Sequence, residues 1–353
     1  MKILFDAYWS TDGPPSGRMV VTETIREWEK QFPQDQLLAL VRDTSNSSQL
    51  PANVAVVKTR LRPHALAVST LRRLATRTGA DAVITQNFAV KGRNSCVFMH
   101  DAIFQSNPEF FTPSERAYFR LITASLPQAT TVFTSSQNEA ARILRHNAKL
   151  KDVRAVGLAV GNELLGAESV RPGSVADLDG FVLAVGRLNI RKNLATVFDA
   201  VNCSTRFSTR FPLVVVGERD GKMKDLSEDV RRLVAKGHIR FLGGVPNSQL
   251  RWLYEHAAAM IFASLDEGYG LPPLEAQHFG CPVVLSDIPV FRELYSEFAT
   301  FAAPLSPHDI AAKLDEVLES GRRSSDRKLK ATPSWEGVVS AMRKQILESW
   351  TSK

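Results

Sequence analysis

The sequence predicts an α/β protein made of two doubly wound domains in tandem. Three observations predict it. Short β-rich runs alternate with helix-length stretches along the chain, the alternation lapses once across residues 163–180 before resuming, and the run at 181–186 ends on Gly186 with cations directly after it. Alternation of this kind favours a parallel sheet with helices on both faces, and such sheets bind ligands at the carboxyl ends of their strands. At 353 residues, 44% hydrophobic and 23% charged, the chain has enough apolar material for about two domains and is not disordered as a whole.

The first series begins with "KILFDA" at 2–7, followed by "YWSTDGPPSGR", where Gly13, Pro14, Pro15 and Gly17 force a loop before a helix near Met19–Gln31. Apolar runs follow at 37–41, 54–57, 81–85, 95–99 and 130–136. The last leads into "SSQNEAARIL", where Ser136 and Glu139 have capping-box spacing at a helix start. These define a first domain over 1–165. Residues 163–180, "ELLGAESVRPGSVADLDG", are poor in periodicity and rich in turn residues, and read as a linker. The second series, "FVLAVG", "PLVVVG", "IRFLGG", "AAMIFAS" and "PVVLS", defines a second domain over 176–330. No short repeat suggests a solenoid. Two such domains would face each other across a cleft.

No run of eighteen apolar residues occurs, and "MKILFDAYWS" turns polar too soon for a signal peptide, so a cytoplasmic protein is expected. Cys96, Cys203 and Cys281 lack CxxC spacing and read as buried thiols. The net charge of +7 is uneven, with 18 Lys+Arg against 12 Asp+Glu in residues 1–150 and 26 against 25 in the rest. A basic first half can attract a membrane surface or an anionic acceptor, or be a merely soluble surface. Only overall charge favours nucleic acid, and no nucleic-acid partner is expected. "LRPHALAVSTLRRLATRTG", 61–79, reads as a basic amphipathic helix through Arg72, Arg73 and Arg77, suited to peripheral contact with the inner face of a membrane or equally to a solvated helix face.

Two stretches of the second domain carry chemistry. In "AVGRLNIRKNL", Arg187, Arg191 and Lys192 lie between a strand end and a helix start, where cations and the helix dipole suit a diphosphate. In "DEGYGLPPLEAQHFG", Gly268 and Gly270 permit positive φ, Pro272 and Pro273 suit a first helical turn, and Glu275 falls inside that turn. Glu267 sits in the loop before it. Two carboxylates so placed can accept hydrogen bonds from the vicinal hydroxyls of ribose and sugar rings. The plainer alternative is that Glu275 only favours the helix N-terminus and Glu267 is a surface residue.

With "EGYGLPPLEA", "GCPVVLSDIP", "VGRLNIRKNL" and "FLGGVPNSQLRWLYEHA" in this order, the sequence resembles the GT4-type retaining glycosyltransferases of the GT-B superfamily, and "GPPSGR" and "FMHDAIF" extend the likeness more weakly into the first half. The resemblance implies a GT-B fold of two Rossmann-like domains, with the acceptor held by the first and the nucleotide sugar by the second, and a C-terminal helix near 335–350 crossing back onto the first. It implies that Arg187 and Lys192 bind the donor diphosphate, Glu275 the ribose, and Glu267 the donor sugar. It also implies that backbone amides at Gly270 and Leu271 touch the sugar or phosphate, that main-chain groups around Leu242 and Gly243 hold the base, and that the Gly17 loop closes over the phosphates. His100 matches the histidine beside the sugar's reacting face; as a lone histidine before Asp101 it also has a structural reading.

The expectation is a metal-independent retaining transfer of a hexose or deoxyhexose, mannose or rhamnose foremost, to a glycan or lipid-linked hydroxyl in cell-envelope polysaccharide assembly. No cofactor beyond the nucleotide-sugar donor is needed. The sole DxD, Asp177–Asp179, lies in the presumed linker. Leaving-group stabilisation by Arg187 and Lys192 fits either front-face attack or a covalent intermediate on Glu267. A nucleotide-sugar 2-epimerase and a catalytically silent GT-B-like partner subunit are the alternatives.

Overall fold

A computed structural model describes residues 1–11, 13–43, 50–92, 94–218, 227–321 and 333–351. It divides into two compact units: Met1–Pro108 with Pro113–Gly161 and Pro333–Lys353, and Glu109–Thr112 with Asn162–Thr332.

The first unit holds β1 (Lys2–Asp6), β2 (Gln36–Arg42), β3 (Ala55–Thr59), β4 (Ala82–Gln86), β5 (Ser95–Phe98), β6 (Thr131–Thr134) and β7 (Val153–Ala155), ordered β3-β2-β1-β4-β5-β6-β7 with parallel pairing throughout. The second holds β8 (Val182–Val185), β9 (Leu213–Val216), β10 (Ile239–Gly243), β11 (Ala259–Phe262), β12 (Val283–Ser286) and β13 (Thr300–Ala302), all parallel in the order β10-β9-β8-β11-β12-β13. Helices pack against both sheets, so the central strands are buried on both faces, and "LVVV" at β9 and "TVFT" at β6 are continuous rather than alternating. Leu4, Val83, Val97 and Val132 anchor one core; Val182, Leu213, Val215 and Val284 anchor the other. In each sheet the order reverses beside the first strand, at β1/β4 and β8/β11. These switch points are where doubly wound sheets open a crevice.

The C-terminal helix Trp335–Thr351 packs on the helix Pro15–Gln31 of the first unit. The Trp335 indole donates to Val160 O at 3.0 Å, and Arg343 bonds the buried Asp35 at 3.0 Å.

Several local expectations are corrected. Residues 163–180 are no linker: the helix Asn162–Leu165 and a turn at Gly173–Val175 belong to the second unit, because Leu164, Val175 and Leu178 are buried there and Arg251 donates to Leu165 O and Ala167 O. The helix expected from Met19 starts at Pro15, whose fixed φ suits a first helical position, so Gly17 is helical rather than in a loop. The basic segment at 61–79 forms two helices, His64–Ser69 and Leu71–Thr78, meeting at Thr70, with Arg72, Arg73 and Arg77 exposed. Cys203, the last residue of the helix Leu194–Cys203, is exposed, whereas Cys96 and Cys281 are buried. Ser136 Oγ does cap the helix Gln137–His146 by accepting from Glu139 N.

Candidate active site

The carboxyl ends of β8 and β11 carry the charged residues of the second unit. After β8 the chain turns at Gly186, and a Cβ at Gly217 would stand 1.9 Å from Gly186 O, so the β8 and β9 ends approach more closely than a side chain allows. Asn189 Oδ1 accepts from Lys192 N and closes a single 3₁₀ turn over Ile190–Lys192. Asn193 then takes φ +55° and spends its amide on Ala263 O and Pro304 O, which ties the turn to the strand end after β11.

That turn delivers two cations to one carboxylate. Lys192 Nζ donates to Glu267 Oε1 at 2.6 Å and Arg191 Nη1 to Glu267 Oε2 at 2.7 Å. Lys192 also lies 4.3 Å from the centre of the Phe262 ring. Glu267 is 7% exposed. Burial alone pushes its carboxyl up, but the charges of Arg191 and Lys192 prevail and hold it at about 2. Lys192 is pushed down to about 8 by burial, against the opposing pull of Glu267. Arg187 follows Gly186 with an exposed side chain.

Gly270, at φ +94°, starts the helix Leu271–His278; a Cβ there would meet the Phe291 ring at 2.7 Å, and Tyr295 Oη donates to its carbonyl at 2.6 Å. Pro272 and Pro273 have no N–H, so Gly270 and Leu271 supply the amides at this helix start. Glu275 is the fifth residue of the helix and lies in its second turn, not its first, so the dipole of the helix start does not account for it. Its partner is Tyr254, whose Oη donates to Oε2 at 2.7 Å. Burial raises the Glu275 carboxyl, and this bond opposes the rise; burial also holds the Tyr254 phenol well above its usual range.

Leu242 and Gly243 end the edge strand β10 at an irregularity: Phe241 pairs with Val215 and Gly243 with Val216, so Leu242 drops out of the ladder. Gly243 O is taken by Gly217 N at 2.8 Å.

In the first unit the β1/β4 switch point is aromatic. Asp6, at the end of β1, accepts from Tyr8 N, Gln86 N and the His64 ring, the last at 2.7 Å with both side chains buried. Tyr8 stacks on His64 at 4.9 Å, and Trp9 leans on His64 at 4.9 Å and on His100 at 6.0 Å. His100 follows β5; Gln86 Oε1 lies 2.7 Å from its Nε2, and burial drops the imidazole to about 4, so the ring is neutral at pH 7. Gly17 belongs here for a reason the sequence did not disclose. A Cβ at Gly17 would stand 2.8 Å from the Trp9 ring and one at Gly13 2.4 Å from Trp9 Cβ. Both glycines make room for the indole.

Asp177 and Asp179 are engaged by arginines: Arg240 binds Asp177 through two 2.8 Å bonds, and Arg210 binds Asp179 at 2.7 and 2.5 Å. Among the described residues no helix is long and apolar enough to cross a membrane.

The second unit therefore joins Arg191, Lys192, Glu267, Gly270, Leu271 and Glu275 in one site at the β8/β11 switch point, while His100 and Gly17 line the equivalent position of the first. Sequence reasoning missed Asp6, His64 and Tyr254, because single residues on a strand end or helix face form no spaced motif.

Two parallel sheets in these strand orders, each with residues gathered at its switch point, are the fold shared with solved glycosyltransferase structures. Residues 170–332 match the family described as glycosyl transferases group 1. The chain is 28% identical over 247 residues to O-antigen chain mannosyltransferase B of Escherichia coli, covering 65% of this chain and 62% of that protein. It is 29% identical over 214 residues to O-antigen chain mannosyltransferase RfbU of Salmonella typhimurium, covering 60% and 57%. The matches thus span about three fifths of those relatives. Among solved structures, WaaG, a glycosyltransferase involved in lipopolysaccharide biosynthesis, superposes with a TM-score of 0.70 at 14% identity over 98% of this chain and 99% of that one.

Proposed function

We infer that the protein transfers mannose from a nucleoside-diphosphate donor to a hydroxyl of a growing cell-envelope glycan, with retention of configuration and without a metal ion. The observation that carries this reading is the pairing of Lys192 and Arg191 with Glu267 at the β8/β11 switch point. A diphosphate entering there meets Lys192 and Arg187, which stabilise it more as negative charge grows on the departing nucleotide than in the ground state. On this reading Glu267, ionised and buried, faces the sugar. Glu275, half-buried and held by Tyr254, has its other oxygen for ribose hydroxyls. Mannose is favoured by the two O-antigen mannosyltransferase relatives, and retention by the resemblance of "EGYGLPPLEA" to the GT4 motif. Metal independence is supported by arginines occupying both aspartates of the DxD. The aromatic strand ends of the first unit suit a sugar acceptor, and its exposed Arg72, Arg73 and Arg77 suit an anionic lipid surface.

The test is to incubate the protein with GDP-mannose and a polyprenyl-diphosphate-linked oligosaccharide, with and without EDTA, and to determine the anomeric configuration of the product by NMR. The reading predicts an α-mannoside formed equally in both. A β-product or EDTA-sensitive activity would overturn the corresponding part, and no transfer from any nucleotide sugar would overturn the whole.

A further inference from the structure

The sequence groups Arg191 with Arg187 and Lys192 as a cation for the diphosphate, but the geometry places it elsewhere. Its guanidinium donates to Glu267 Oε2 at 2.7 Å and to Asp266 O at 2.8 Å, and its own carbonyl accepts from Leu265 N at 2.8 Å. Three bonds thus tie Arg191 to the single loop 265–267. Lys192 holds only the other oxygen of Glu267, through a flexible stem suited to changing partners.

We propose that Arg191 is a positioning residue that keeps Glu267 ionised and fixed toward the donor sugar when Lys192 leaves it for the diphosphate. The inference rests on the function proposed above. Its physical basis is the cost of a buried, uncompensated charge: a carboxylate as enclosed as Glu267 that lost its only counterion would take up a proton or move. With one cation per oxygen, Lys192 can exchange partners while Glu267 keeps a charged, hydrogen-bonded mate. Arg suits this role because its Nη1 reaches the carboxylate and the Asp266 carbonyl together while its charge stays fixed at any working pH. The other charged or titratable groups around Glu267 do not replace it. Asp266 and Glu275 are acidic, Tyr269 and Tyr295 are phenols, and Arg187 acts on Lys192.

The test compares wild type, Arg191→Met, Arg191→Lys and Lys192→Ala in the full chain, after thermal melts establish that each is folded. GDP and GDP-mannose affinities are measured by calorimetry, and kcat of mannosyl transfer is followed against pH. The proposal predicts that Arg191→Met binds GDP within about twofold of wild type, loses at least tenfold in kcat at pH 7, and shifts the acid limb of kcat to higher pH, with Arg191→Lys recovering most of both. If Arg191→Met weakens GDP as much as Lys192→Ala does, Arg191 is a phosphate ligand and the proposal falls. An unchanged kcat and pH profile overturns it too. If Arg191→Met does not fold, the decision passes to Arg191→Gln, which also removes the charge, and there a near-wild-type GDP affinity with a shifted acid limb supports the proposal and an unshifted limb refutes it. Wild type that binds neither ligand would refute the functional reading itself, an outcome separable from failure of Arg191 alone.

Discussion

The two units put very different chemistry at the same address. Both sheets reverse their order beside the first strand, and both gather residues from the loops at that point. In the second unit these are Arg191, Lys192 and Glu267, an interlocked set of charges. In the first they are Tyr8, Trp9, His64 and His100, rings around one buried aspartate. Topology supplies the crevice in each case, and the side chains decide what enters it. Charges suit the diphosphate of a donor, and aromatic rings suit a hydroxyl-rich, uncharged ring.

The largest expected effect separates the two regions outright. Lys192→Ala removes the cation that the donor diphosphate is to take and should lower kcat/KM for the donor by about 10²–10³, the range seen when one preorganised charge-stabilising donor is lost. Steady-state kinetics with GDP-mannose check this, and a loss below tenfold would break the contrast between the charged and the aromatic crevice.

A pH dependence follows from the same residue. Because Lys192 sits at about 8 rather than 10.5, it loses its proton as pH rises through 8, and donor kcat/KM in the free enzyme should fall on that limb. The stability effect has the opposite sign: between about 8 and 10.5 the unfolded chain binds the proton more tightly than the folded one, so this group makes the fold more stable as pH rises. Decline of activity above pH 8 with an unchanged or higher melting temperature is the expected signature. Lys192→Arg should move the limb beyond the measurable range.

Tyr254→Phe is a smaller probe. It deletes one bond to Glu275 and should weaken nucleotide binding by about fivefold, on the order of 1 kcal/mol for a single hydrogen bond. The loss should disappear for a 2′,3′-dideoxynucleoside diphosphate, which calorimetry would read. The smallest effect on the donor belongs to the first unit. Gly17→Ala drives a Cβ into the Trp9 ring, so acceptor KM should rise several-fold while GDP affinity stays within about twofold. Weakened GDP binding would instead return Gly17 to the phosphates.

Much of this was legible in the sequence, and the failures are instructive. The apolar runs located the central strands because strands buried on both faces leave continuous signatures, while β7 and β13, three residues each, were too short to show. The motif around Glu267 and Glu275 was legible because its turn needs Gly270 and tolerates two prolines. The partner of each carboxylate was not. Arg191 reads as one more cation until its distance to Glu267 is seen, and Tyr254 as one more apolar position on a helix. Gly17 misled because a glycine required by a neighbouring ring looks in sequence like one required by a turn. Residues 163–180 misled because three apolar side chains suffice to dock a segment that has no periodicity.

The central claim, that the β8/β11 switch point of the second unit holds a nucleoside diphosphate through Lys192, is tested most directly by calorimetric titration of GDP into wild type and Lys192→Ala. The account predicts one site per chain in wild type and an affinity at least tenfold weaker in the variant, with both proteins folded. Equal affinities would contradict it.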